Sequence, residues 1–196
     1  MTPLVFILFL LFYLHRTFSL NHTRVYNTFV TKQYCMDEYE SLESIRRTYQ
    51  CTCGRNAYHF PKILRSRYGR VWLTHCGTDL SKFTPDSLPS DKMDQVRCIR
   101  DNLRRANLAH MDVKDQNMCV DKSGVIFLID FDSVYSPDFT MIGTNTCPNK
   151  RKDHRKLLWT QQKLDEYMNK ELDYKNMQNI LEGKQVISPK QFFSNQ

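Results

Sequence analysis

Glycine is scarce in this chain: there are six in 196 residues, and the first is Gly54. No Gly-x-Gly-x-x-Gly occurs, so the sequence lacks the backbone loop that cradles nucleotide phosphates, and any phosphate bound here is gripped by other means. No Cys-x-x-Cys pair occurs either. Cys51-Thr52-Cys53 has the wrong spacing for a zinc knuckle and no His pair complements it, so the cysteines predict no metal site. The apolar run Leu4 to Leu14 stops at eleven residues, short of the ~20 that a membrane-spanning helix needs. Internal repeats, low-complexity linkers and nucleic-acid motifs are all missing, which leaves a single ordinary domain with no nucleic-acid partner.

What is present is apolar enough for a core, at 41% hydrophobic and 12% aromatic. A net charge of +7 and a pI near 9.0 favour acidic partners such as phosphates, acidic protein substrates or anionic lipid. The densest basic run is Lys150-Arg151-Lys152 with Arg155 and Lys156. Leu4 to Leu14, followed by His15 and Arg16, fits a signal-peptide core or an uncleaved signal anchor reaching Leu20. Asn21-His22-Thr23 is a glycosylation acceptor usable in the secretory pathway, and seven cysteines permit up to three disulfides with one thiol left over. A secretory or membrane-associated location is therefore expected, with attachment through residues 1–20. In the alternative, a cytoplasmic chain, the cysteines are small buried hydrophobes.

The densest chemistry lies in His110-Met111-Asp112-Val113-Lys114-Asp115-Gln116-Asn117, with Asp130-Phe131-Asp132 beginning thirteen positions after Asn117. Met118 to Val120 and Val125 to Ile129 are apolar runs separated by Asp121-Lys122-Ser123-Gly124, a hairpin signal that brings Asn117 and Asp130 together. Upstream, Met93, Val96, Ile99, Leu103 and Ala106 share one helical face, with acidic residues at its start and basic ones at its end.

These residues resemble the protein kinase superfamily, whose catalytic loop reads His-x-Asp-x-x-x-x-Asn and whose metal segment reads Asp-Phe-Gly. The resemblance implies an α+β, two-lobed kinase-like fold, with ATP and Mg²⁺ as cofactors and a protein substrate. Asp112 would orient the acceptor hydroxyl, Lys114 would steady the γ-phosphate, Asn117 and Asp130 would hold metal, and His110 would support the loop. Lys at position 114 is typical of kinases acting on serine and threonine. On the same resemblance, Lys32 in a strand-like stretch and Glu43 in the helix-like segment 37–49 would form the phosphate-holding pair. Thr74, His75, Cys76 and Gly77 would form the hinge that pairs with adenine, and Asp153 would brace the catalytic-loop backbone. A signal-like start with several cysteines looks like the divergent secretory-pathway kinases.

The chain departs from that pattern in its lost glycine loop, in Asp132 where the family has glycine, and in the sixty-four residues left after Asp132. The expected organisation is a signal peptide or anchor at 1–20, a reduced N-lobe at 21–75, a shortened helical C-lobe at 76–182 and a flexible tail at 183–196. Two other functions remain compatible: a pseudokinase that binds and regulates a partner kinase, and a kinase-like enzyme acting on a small molecule or glycan.

Overall fold

The computed structural model describes residues 23–136 and 161–194. The candidate signal segment and the basic run at 150–156 lie outside them. No helix among the described residues is long and apolar enough to cross a membrane. The chain is mixed α+β and divides into two units, one formed by the chain up to Tyr34 with residues 62–75, the other by residues 35–61 and the chain from Cys76 onward.

The first unit is an antiparallel sheet in the order β1-β2-β4-β3, from β1 (Arg24–Val25), β2 (Phe29–Gln33), β3 (Ile63–Arg67) and β4 (Arg70–Thr74). Alternation sets its faces: Val71 and Leu73 are buried, while Arg70, Trp72 and Thr74, which alternate with them, are half-buried. Tyr68 and Gly69, both at positive φ, make the two-residue turn whose twist suits a hairpin. Sequence reading places a strand at Phe60–Leu64; the observed β3 starts later, because Pro61 offers no donor to a ladder and Phe60 is buried in the other unit.

The second unit holds α1 (Met36–Thr48), α2 (Lys92–Arg105), α3 (Gln161–Asn169), α4 (Leu172–Leu181), α5 (Pro189–Ser194) and a small sheet in the order β5-β6-β7. Its strands are β5 (Thr78–Asp79), β6 (Met118–Val120) and β7 (Ile126–Leu128). Residues 35–61 therefore leave the expected N-lobe. The reason is apolar packing: Leu42, Ile45 and Phe60 are fully buried, and Phe60 meets Phe131 edge-to-face at 5.8 Å.

The predicted face of α2 is buried at Val96, Ile99, Leu103 and Ala106. The adjoining face is buried too, and it is polar. Gln95 accepts from Ile126 N (2.8 Å) and donates to Gly124 O (2.9 Å), fixing the hairpin against the helix. Asn102 accepts from Gln50 N (2.9 Å) and donates to Gln50 O (3.0 Å), completing that residue's backbone pairing as a strand neighbour would. Asp121 Oδ1 collects Ser123 N at 2.8 Å and Val125 N at 2.9 Å, the local bonding that makes Asp121-Lys122-Ser123-Gly124 a turn.

At Gly77 (φ +97°) a Cβ would overlap the Val120 carbonyl, so glycine alone lets this stretch lie against β6. The expected flexible tail is partly structured: α5 lies within it, and Asn176 donates to Ile187 O (2.8 Å) while accepting from Ile187 N (2.9 Å).

Candidate functional site

The loop between α2 and β6 gathers the predicted chemistry. Asn117 sits at its end in a single 3₁₀ turn (Asp115–Asn117) and is buried. Its Nδ2 donates to both the Asp112 backbone oxygen and Asp112 Oδ2, each at 2.9 Å. Lys114 Nζ lies 2.6 Å from the same Oδ2. Asp112 and Lys114 stay partly open to solvent, with side-chain exposures of 22% and 42%, so the carboxylate is oriented from the protein side and accessible from the other.

His110 is fully buried, and its Nε2 donates to Ile129 O at 2.8 Å. Its Nδ1 has no hydrogen-bond partner among the described residues. The ring stands edge-to-face on Phe131 with centroids 4.8 Å apart. Across the hairpin Ile129 N donates to Asn117 O (2.9 Å), which places Asp130 one residue beyond Asn117's backbone partner, as the spacing predicts. Met111 and Asp130 both take left-handed φ, at 64° and 68°. For non-glycine residues this is a strained state that the surrounding bonds must hold. Asp132 is not in that region. It belongs to a 3₁₀ turn (Phe131–Ser133), so a glycine there is not needed.

The loop backbone is braced by a residue the sequence reading passed over. Asp173, in the first turn of α4, accepts from His110 N at 2.5 Å and from Met111 N at 3.1 Å, and Tyr167 Oη donates to it at 2.8 Å. Burial pushes its carboxyl above the usual range, against the opposing pull of His110, Tyr167 and the two backbone donors. Asp153, predicted for this task, lies outside the described residues. The missed signal was a carboxylate on the apolar stripe of α4, whose buried positions are Leu172, Asp173, Asn176, Met177 and Leu181.

The two acids of α1 differ in setting. Glu43 is half-buried and pairs with Arg46 at 2.8 Å, and the hydrogen bond from that guanidinium holds its carboxyl below the usual range. Glu38 is the buried acid, and its Oε1 accepts from Phe131 N at 3.3 Å. Five residues at about 100° each put the two glutamates roughly 140° apart around the helix, and Glu38 shares the side of Leu42 and Ile45. Glu38→Ala is accordingly expected to lower the melting temperature by about 5 °C, because a buried N–H loses its acceptor, whereas Glu43→Ala should shift it by less than about 2 °C. Thermal melts of the two variants check the assignment, and equal shifts would reverse it.

Of the remaining predicted residues, Lys32, Thr74 and His75 belong to the first unit and Cys76 and Gly77 to the second. Lys32 lies on β2 opposite Val71 in the first unit. Thr74 ends β4, with its N–H and Oγ1 both bonded to Lys62 backbone groups at 2.9 Å, and His75 N donates to Thr28 O at 3.2 Å. The boundary between the units falls between His75 and Cys76, inside the predicted hinge. Compared with known proteins, the chain matches no family model and no curated protein.

Proposed function

We propose that this protein is an ATP- and Mg²⁺-dependent phosphotransferase of the protein-kinase type, acting on serine or threonine hydroxyls of a protein substrate. One observation carries the reading: Asp112 is oriented through its carboxylate by Asn117, has Lys114 beside it, and stands on a loop whose backbone is held by buried Asp173. A kinase-type transfer leaves the protein little covalent work beyond positioning and charge stabilisation, and this loop supplies both.

In the proposed reaction Asp112 accepts a hydrogen bond from the acceptor hydroxyl and takes its proton as the new oxygen–phosphorus bond forms and the bond to ADP breaks. Lys114 turns from Asp112 to the moving phosphoryl, whose charge it offsets. Asn117 suits a hard cation, since both hydrogens of its Nδ2 are spent on Asp112 and its amide oxygen remains as the acceptor. Bound Mg²⁺ would neutralise the phosphate oxygens, with Asn117 and Asp130 as its protein ligands. The net charge of +7 favours substrates with acidic surfaces.

The test uses the full chain with γ-labelled ATP and Mg²⁺, beside Asp130→Ala, against protein and glycan acceptors. Transfer to protein that is lost in Asp130→Ala is the expected result. Transfer to glycan alone would replace the substrate class. With neither turnover nor Mg²⁺-dependent thermal stabilisation by ATP, the enzymatic reading is abandoned.

A further inference from the structure

Between α1 and β3 the chain passes through Cys51, Cys53 and His59, and all three converge on Cys98 of α2. Their ligand atoms lie within 4.8 Å of one another. Cys51 Sγ is 3.5 Å from Cys53 Sγ, and Cys53 Sγ is 3.1 Å from His59 Nε2. A tetrahedral zinc ion at ordinary bond lengths sets sulfurs about 3.8 Å apart and sulfur from nitrogen about 3.6 Å apart, so the four groups are already near the edges of such a tetrahedron.

Three further features suit a metal. His59 is fully buried and its Nδ1 donates to Ile126 O at 2.7 Å, which leaves Nε2 as the lone-pair nitrogen facing the sulfurs. This outward anchoring of the second ring nitrogen is the usual support of a histidine ligand. Thr52 N points at Cys98 Sγ from 3.3 Å and Asn102 Nδ2 from 3.6 Å, donors suited to a thiolate. All three cysteines are free thiols, in contrast to Cys35, which is disulfide-bonded.

We propose that Cys51, Cys53, His59 and Cys98 form a closed, structural zinc site. The reading that the cysteines hold no metal weighed only neighbours in sequence, while the fourth group of this cluster comes from a helix forty-five residues after Cys53. Three sulfurs and one imidazole suit zinc, and four protein ligands leave no open position for catalysis. Binding would exchange three thiol protons for the ion, the protons leaving to solvent. The site would tie residues 51–59 to α2. His59 would pass that restraint on, since its carbonyl accepts from Leu128 N (3.0 Å), two residues before Asp130.

Metal analysis of the purified full chain, supplied with zinc and washed, is expected to find about one zinc per chain. Cys98→Ser should reduce this to less than about a tenth, while His59→Cys, which keeps four ligands, and Cys119→Ala, outside the cluster, should retain it. Should Cys98→Ser fail to fold, cobalt loading of the wild type decides: tetrahedral thiolate-bound cobalt absorbs strongly in the visible, His59→Cys shifts the bands and Cys119→Ala does not. Wild type that stays metal-free after zinc or cobalt loading, equal zinc in Cys98→Ser, or a disulfide among Cys51, Cys53 and Cys98 in native protein overturns the proposal.

Discussion

Asp112→Asn is expected to lower the rate of phosphoryl transfer by roughly 10²- to 10⁴-fold while leaving the melting temperature within about 2 °C of the parent. The substitution is nearly isosteric. A carboxamide oxygen at 112 still accepts from Asn117 Nδ2, and the bond from Asn117 to the residue 112 carbonyl does not depend on the side chain. What disappears is the proton acceptor and the negative charge beside Lys114. The loss should fall on kcat, with the KM for ATP nearly unchanged, because Asp112 is proposed to act on the acceptor and not on the nucleotide. Steady-state kinetics at saturating ATP measure it; a variant within threefold of the parent removes Asp112 from the role of base.

Asp173→Ala should act the other way, through the scaffold. Its carboxylate serves two backbone N–H groups and the Tyr167 hydroxyl in a site from which water is excluded. Each orphaned buried donor costs about 1–3 kcal/mol, so the two backbone N–H groups alone cost on the order of 3 kcal/mol. For a chain of this size that is a fall of roughly 6–12 °C in melting temperature. Activity should fall too, since Met111 sits at φ 64° next to Asp112 and depends on that brace. Calorimetry checks the outcome: a shift below about 2 °C would show that Asp173 is not the support its bonds indicate. Read together, the two variants separate chemistry from scaffolding, because only the second moves the melting temperature.

The parts of this molecule that were legible in sequence are those whose causes lie between near neighbours. The face of α2 follows from helical period, the β6–β7 hairpin from Asp121 and Gly124, and the gathering of Asp112, Lys114 and Asn117 from their positions on one short loop. Glu38, Asp173 and Cys98 were missed for one shared reason. Each lies on a buried helical stripe, where its meaning depends on a group far along the chain: Phe131, His110 and Cys53 respectively. Sequence reading chose Glu43 for the phosphate-holding pair, whereas Glu43 is half-buried and pairs with Arg46 on its own helix, and Glu38 is the fully buried acid. Asp132 stands where the family has glycine, and the local 3₁₀ turn asks nothing special of it.

Chain entropy treats the two halves of the site unequally. Asn117 and Asp130 meet through a hairpin only thirteen positions around, whereas Asp173 reaches His110 across sixty-three. By the logarithmic scaling of loop closure, the longer return costs about 1.4 kcal/mol more than the shorter, a tenfold difference in population. On warming, the long-range brace is therefore the first to let go, while the short hairpin still holds Asn117 and Asp130 near one another. Catalytic competence should fade below the temperature at which the hairpin melts.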